Sequence, residues 1–166
     1  MRTLVIMRHA KAEASAPSDF DRQLTDRGHA DAHEAGSWLA GVEPDYALVS
    51  AAVRTVQTWE DVAVGAGWDL GLAEYDDGLY VASTEAALDQ IRTTDPGVGV
   101  LVVIGHNPTV ANLVALLDDG AGEEEAGNDL AAGFPTSAVA VFAYDGEWAD
   151  LDEAAASVIR FHVGRG

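Results

Sequence analysis

Leu4-Val5-Ile6-Met7 runs directly into Arg8-His9-Ala10, and that junction decides how the rest of the chain is read. Four consecutive apolar residues bounded by polar ones suit a short strand buried on both faces, as in a parallel sheet. Outward from it, apolar or small residues recur at helical spacing from Asp26 to Ala40, with Thr25 as an N-cap. Tyr46 to Ser50 reads as a second strand and Ala52 to Val64 as a second helix. Leu70 to Glu74 is a weak strand, and Ser83 or Thr84 caps a helix running to about Arg92. Val98 to Ile104 is rich in valine, as a fully buried central strand should be. Pro108 suits the first turn of a helix that continues to Leu117. Gly120 to Asp129 reads as a polar loop and a place for local disorder. Ser137 to Tyr144 and Ala156 to Val163 are late strands, with Asp145-Gly146 as a turn. Strands alternating with helices predict an α/β fold in three layers, α/β/α, with a mainly parallel central sheet. The last two strands lack an intervening helix, so at least one is expected to be antiparallel, at an edge.

The length of 166 residues suits a single domain spanning 1–166 with one sizeable core. No stretch approaches the ~20 apolar residues of a membrane span. The first strand has no small-residue cleavage site after it, so it does not read as a signal peptide. Cysteine is absent, which excludes disulfides, thiolate metal sites and a cysteine nucleophile, and fits a cytoplasmic protein. Acids outnumber bases 28 to 9, for a net charge of −19. Such a surface repels nucleic acid and anionic membranes. An anionic substrate therefore needs a place where the few arginines gather.

In α/β sheets ligands bind beyond the carboxyl ends of the strands. Arg8 and His9 follow the first strand, Ser50 leads within four residues to Arg54, and Gly105-His106-Asn107 follow the valine-rich strand. Two arginines and two histidines thus converge on one edge of the sheet. Guanidinium groups match phosphate oxygens bidentately. The helix start after Asn107 adds backbone N–H groups. A histidine among such cations stays neutral and can attack phosphorus through nitrogen.

Three blocks carry a resemblance: Leu4 to Ala10, Ser50 to Thr58 and Ile104 to Pro108. In that order they resemble the signature blocks of the histidine phosphatase superfamily, the phosphoglycerate mutase-like fold. Arg22 to Gly28, Gly78 to Ser83 and Phe134 to Ser137 are similar to its small, SixA-like branch. The resemblance implies that His9 is the phosphorylated nucleophile. It implies that Arg8, Arg54 and His106 hold the phosphoryl group, with a donor from the Asn107 backbone, and that no metal or other cofactor is needed. Two positions depart from the family pattern. Ala10 stands where many relatives have glycine. Val81 stands where many carry a glutamate acid, and Asp76 or Asp77 is the nearest candidate replacement. A missing acid favours phosphohistidine, because a protonated imidazole leaves without further help while an alkoxide does not. The expected partner is a phosphohistidine-bearing protein. A small phosphorylated substrate, such as a sugar or nucleotide phosphate, is the first alternative, and a non-catalytic phosphohistidine-binding module is the second. The oligomeric state has no signature here.

The other polar residues read more plainly. His29 and His33, four apart with Asp31 and Glu34 nearby, have the spacing of metal ligands, but a helix face explains them better. His162 reads as structural, and Arg22 as either a rim residue or the partner of Asp19, Asp21 or Asp26. The four tryptophans read as packing, and Glu123-Glu124-Glu125 as a solvated run.

Overall fold

A computed structural model describes residues Met1–Gly166. Its strands are β1 (Arg2–Arg8), β2 (Tyr46–Ser50), β3 (Ala73–Asp76), β4 (Val100–Gly105), β5 (Ala138–Tyr144) and β6 (Ser157–Val163). Its helices are α1 (Asp26–Trp38), α2 (Val53–Ala66), α3 (Asp77–Tyr80), α4 (Thr84–Arg92), α5 (Thr109–Leu117) and α6 (Glu124–Ala132). One sheet runs in the order β3-β2-β4-β1-β5-β6. Its first four strands are mutually parallel, and β5 is antiparallel to both β1 and β6. The expected antiparallel edge is therefore present. The weak strand expected at Leu70 to Glu74 begins later, at Ala73, after a 3-10 turn over Leu70–Leu72.

Side chains of alternate parity along β1 feed two separate cores. Leu4 and Ile6 pack with α4, α5 and α6, through residues such as Leu88, Leu113 and Leu130. Val5 and Met7 pack on the opposite face with α1 and α2, through Ala35, Trp59 and Val62. This is the three-layer α/β/α arrangement, and it explains why the strand has no polar alternation: both faces are covered. Helices α1 and α2 approach closely. A Cβ on Gly36 would stand 2.2 Å from the Val62 carbonyl oxygen, so only glycine fits there.

One expectation is overturned. Gly120 to Asp129 is not simply a loop, because Glu124–Ala132 forms α6. The glutamate run that reads as a solvated charge cluster is a helix start. Glu123 accepts the Ala126 N–H with its side chain at 2.7 Å, and Glu124 and Glu125 lie in the first turn, where the helix dipole favours anions. Ala126 and Leu130 are the buried contacts, too few to make a periodic signal. The Glu123 N–H also donates to the Val158 carbonyl in β6, a tie 35 residues away that local sequence does not reveal.

Candidate active site

The sheet register brings the expected groups together. Arg8 pairs with Gly105 across β1 and β4, and Ser50 with Asp76 across β2 and β3. The residues after these strands therefore share one edge. The backbone of His9 is held from three directions. Its N–H donates to the Gly105 carbonyl at 3.1 Å, and its carbonyl accepts the Ser137 N–H at 3.1 Å. The next N–H, of Ala10, donates to Thr58 Oγ1 at 3.0 Å, and that hydroxyl donates on to the Arg54 carbonyl at 2.7 Å. Ser137 adopts φ 65, a left-handed backbone that costs a serine free energy and recurs near functional sites.

The His9 ring is buried, 7% exposed. Its Nδ1 lies 2.7 Å from the Ala10 carbonyl oxygen. A carbonyl only accepts, so Nδ1 carries the proton and Nε2 holds the lone pair. The His106 ring stands 5.4 Å away, centroid to centroid. Its Nε2 lies 2.7 Å from Ser50 Oγ, itself fully buried, and that oxygen accepts the Ala52 N–H at 3.4 Å. His106 Nδ1 is buried and has no partner in the chain.

Arg8 donates only a long contact, 3.4 Å, to the Phe134 carbonyl, and its buried Nε has no partner. In a chain with 28 carboxylates it meets none of them. Arg54 is 5% exposed and donates to both the backbone and the carboxylate of Asp19, at 2.8 and 3.1 Å. Asn107 uses its side chain locally: Nδ2 donates to the Phe134 carbonyl, and Oδ1 accepts the Ala111 N–H, capping α5.

These charges and the burial set the histidines' state. Burial above all lowers the His9 pKa to about 4; the Ala10 hydrogen bond opposes it, and the charges of Arg54, Arg8 and Arg22 add to the lowering. Burial and the Arg54 charge push His106 down to about 3. Both rings are neutral at pH 7. The unfolded chain protonates histidine near its ordinary value of 6.5, so between pH 6.5 and 4 it binds protons at both positions that the folded chain refuses. Stability therefore falls as the pH falls through that window. The expected slope is about 1.4 kcal/mol per pH unit from each histidine near pH 5. Urea unfolding at pH 7, 6 and 5 measures it, and His106→Asn should flatten the slope by one such share. An unchanged slope in His106→Asn would show that the ring is not held neutral.

The other candidates fall elsewhere. Asp76 caps α3 by accepting the Leu79 N–H at 3.1 Å, and it lines a separate hollow with Tyr46, Leu48, Glu74 and Gln90. Asp77 is exposed in the first turn of α3. Val81 is 76% exposed. His29 pairs with Asp61 at 2.6 Å and His33 is exposed. His162 bonds Glu34 and stacks on Trp38. Arg22 makes the local ion pair expected of it, with Asp19 at 3.0 Å. Asp19, named from sequence only as a possible partner of Arg22, also turns out to be bound to Arg54 and Tyr80. It stands in the loop after β1, joined to Arg54, Arg22 and Tyr80. Its aspartate-rich neighbourhood, Asp19-Phe20-Asp21, carries no periodicity or motif that marks it out.

Two guanidinium groups and two neutral imidazoles gather at the carboxyl edge of a parallel sheet, a cluster suited to an anionic, phosphate-like group. Residues 4–80 match the family model described as histidine phosphatase superfamily (branch 1). An uncharacterized protein of Mycobacterium tuberculosis is 36% identical over 163 residues, spanning 96% of this chain and 100% of that one. The phosphohistidine phosphatase SixA of Escherichia coli is 38% identical over 128 residues, 69% of this chain and 73% of its own. Among solved structures, one assigned to SixA of Nakamurella multipartitia superposes with a TM-score of 0.85 at 32% identity, covering 98% of this chain and 96% of that one. A SixA complexed with tungstate superposes with a TM-score of 0.78 at 28% identity, covering 97% and 96%. This chain belongs to the histidine phosphatase superfamily, with SixA-like proteins among its relatives. No helix in it is long and apolar enough to cross a membrane.

Proposed function

We propose that this chain is a metal-independent phosphatase that takes the phosphoryl group from a protein phosphohistidine onto Nε2 of His9 and then gives it to water. The observation that carries the reading is the tautomer of His9. Its Nδ1 proton is committed to the Ala10 carbonyl, so the Nε2 lone pair is available among Arg8, Arg54 and His106. In the first step the Nε2–P bond forms and the substrate's N–P bond breaks, its electron pair going to the leaving nitrogen. In the second, a water oxygen bonds to phosphorus and the pair of the P–Nε2 bond returns to His9, while the water gives up a proton to solvent or phosphate. The phosphorylated ring keeps its Nδ1–H on Ala10, so it departs as neutral imidazole and needs no further acid. Arg8, Arg54, the His106 ring and the backbone N–H of Asn107 stabilise the equatorial phosphoryl oxygens. These donors come from the chain itself, so the charge is met without a metal ion.

Phosphohistidine is favoured as substrate for two reasons. The family resemblance puts Val81, which has no acid to offer, where many relatives carry a glutamate. The relatives named SixA are phosphohistidine phosphatases. The test compares a phosphohistidine-carrying protein with para-nitrophenyl phosphate at equal enzyme. A much higher kcat/KM on the phosphohistidine protein supports the proposal. Preference for sugar or nucleotide monophosphates would move the assignment to a small-molecule phosphatase. A phosphorylated His9 that never hydrolyses would make the chain a binding module.

A further inference from the structure

Asp19 is the one carboxylate hydrogen-bonded to any of Arg8, His9, Arg54 and His106. It begins the short 3-10 turn Asp19–Asp21 and is 55% exposed, while Arg54 beneath it is buried. Three donors converge on it. Arg54 Nη2 lies 3.1 Å and the Tyr80 hydroxyl 2.6 Å from Oδ2, and Arg22 Nε lies 3.0 Å from Oδ1. Tyr80 is itself wedged between Phe20 and His106, with ring centroids 5.1 and 5.5 Å away. The carboxylate is thus fixed on the solvent side of the buried Arg54, and Tyr80 links it to the face of the His106 ring.

Resting on the reading of phosphohistidine as substrate, we propose that Asp19 is a specificity-determining residue that accepts the N–H of the substrate's leaving imidazole. The Tyr80 hydrogen bond, then the Arg54 and Arg22 contacts, hold its pKa down to about 2, so it cannot serve as an acid at neutral pH. An ionised carboxylate can do the complementary job. Phosphohistidine is phosphorylated on one ring nitrogen, and its other nitrogen titrates. With a proton there, the N–P electron pair collapses onto a ring that leaves as neutral imidazole; without it, the ring must leave as an anion. A carboxylate accepting that N–H favours the protonated form. The two imidazoles of the reaction are then treated alike: Ala10 keeps the proton on His9, and Asp19 keeps it on the substrate. A phosphate ester has no such N–H and meets only the carboxylate's charge, a repulsive element of the kind that sets specificity.

The groups facing Asp19 are Arg54, Arg22 and Tyr80, with the His106 charge state felt more weakly. The arginines stay charged, Tyr80 is raised above the ordinary phenol value, and His106 is neutral above about pH 3. Between pH 5 and 9, then, the substrate ring is the group in this contact that changes charge.

Asp19→Asn and Asp19→Glu test the assignment, with unfolding midpoints recorded to establish that each is folded. The amide should lower the ratio of kcat/KM on a phosphohistidine protein to that on para-nitrophenyl phosphate by about tenfold or more. It should also move the alkaline fall-off of the phosphohistidine rate about one pH unit lower, the scale of one hydrogen-bonded charge. Asp19→Glu should recover the wild-type profile. An equal loss on both substrates, or an unmoved profile, overturns the inference and leaves Asp19 as a positioning residue for Arg54, with the phosphohistidine reading intact. A wild-type enzyme that cleaves para-nitrophenyl phosphate and ignores phosphohistidine overturns both.

Discussion

His9→Ala should abolish turnover, lowering kcat/KM by at least about 10³-fold, the scale on which deletion of a covalent nucleophile acts. The reason is geometric. The Nε2 lone pair exists only because Nδ1 is pinned to Ala10 and the ring is kept neutral by burial and three arginines. No second nucleophile can replace it. His106 engages Ser50 through Nε2, its Nδ1 is buried, and there is no cysteine. The same variant should fail to form the covalent intermediate. Rapid quenching of wild type with radiolabelled substrate should leave a label that survives alkali and is lost in acid, because protonation makes the N–P bond labile. Labelling that persists in His9→Ala would place the nucleophile elsewhere.

Arg54→Ala should cost about 10²–10³-fold in kcat, the effect of removing a preorganised donor from the transferring group. Arg54→Lys should recover little, because an ammonium cannot reproduce a two-pronged fork. This side chain also links the parts of the site. It bonds Asp19 through two atoms, its carbonyl accepts the Thr58 hydroxyl that holds Ala10, and its charge helps keep both histidines neutral. The variant should therefore raise the pKa values of His9 and His106, which NMR titration of the ring protons would follow. An enzyme that retains kcat without Arg54 would mean that Arg8 and His106 suffice for the phosphoryl group.

Much of this was legible from the chain. Leu4 to Met7, Tyr46 to Ser50 and the valine-rich run to Ile104 carry runs of apolar residues because two helical layers bury them on both faces. A strand that must be buried advertises itself, and its carboxyl end then locates whatever polar residues follow. Arg8, His9, Arg54 and His106 could be placed together for that reason, before any distance was known. The arginine economy helped, since nine bases among 28 acids leave few ways to bind an anion.

Other features are properties of the folded chain alone. Helix α6 hides in a polar stretch because its stability rests on the Glu123 cap, two buried side chains and a backbone tie to β6. Asp76 could not be assigned a direction from sequence; in the fold it turns to cap α3 and line a different hollow. Asp19 is the clearest case. Its partners Arg54 and Tyr80 lie 35 and 61 positions along the chain, and nothing in its own neighbours points to them. By itself the sequence determined the layers, the strand ends and the gathering of Arg8, His9, Arg54 and His106 at one edge, because burial of continuous apolar strands is written locally. Only the tertiary structure decided which carboxylate stands over that cluster, because a carboxylate's direction is set by donors that long-range folding brings to it.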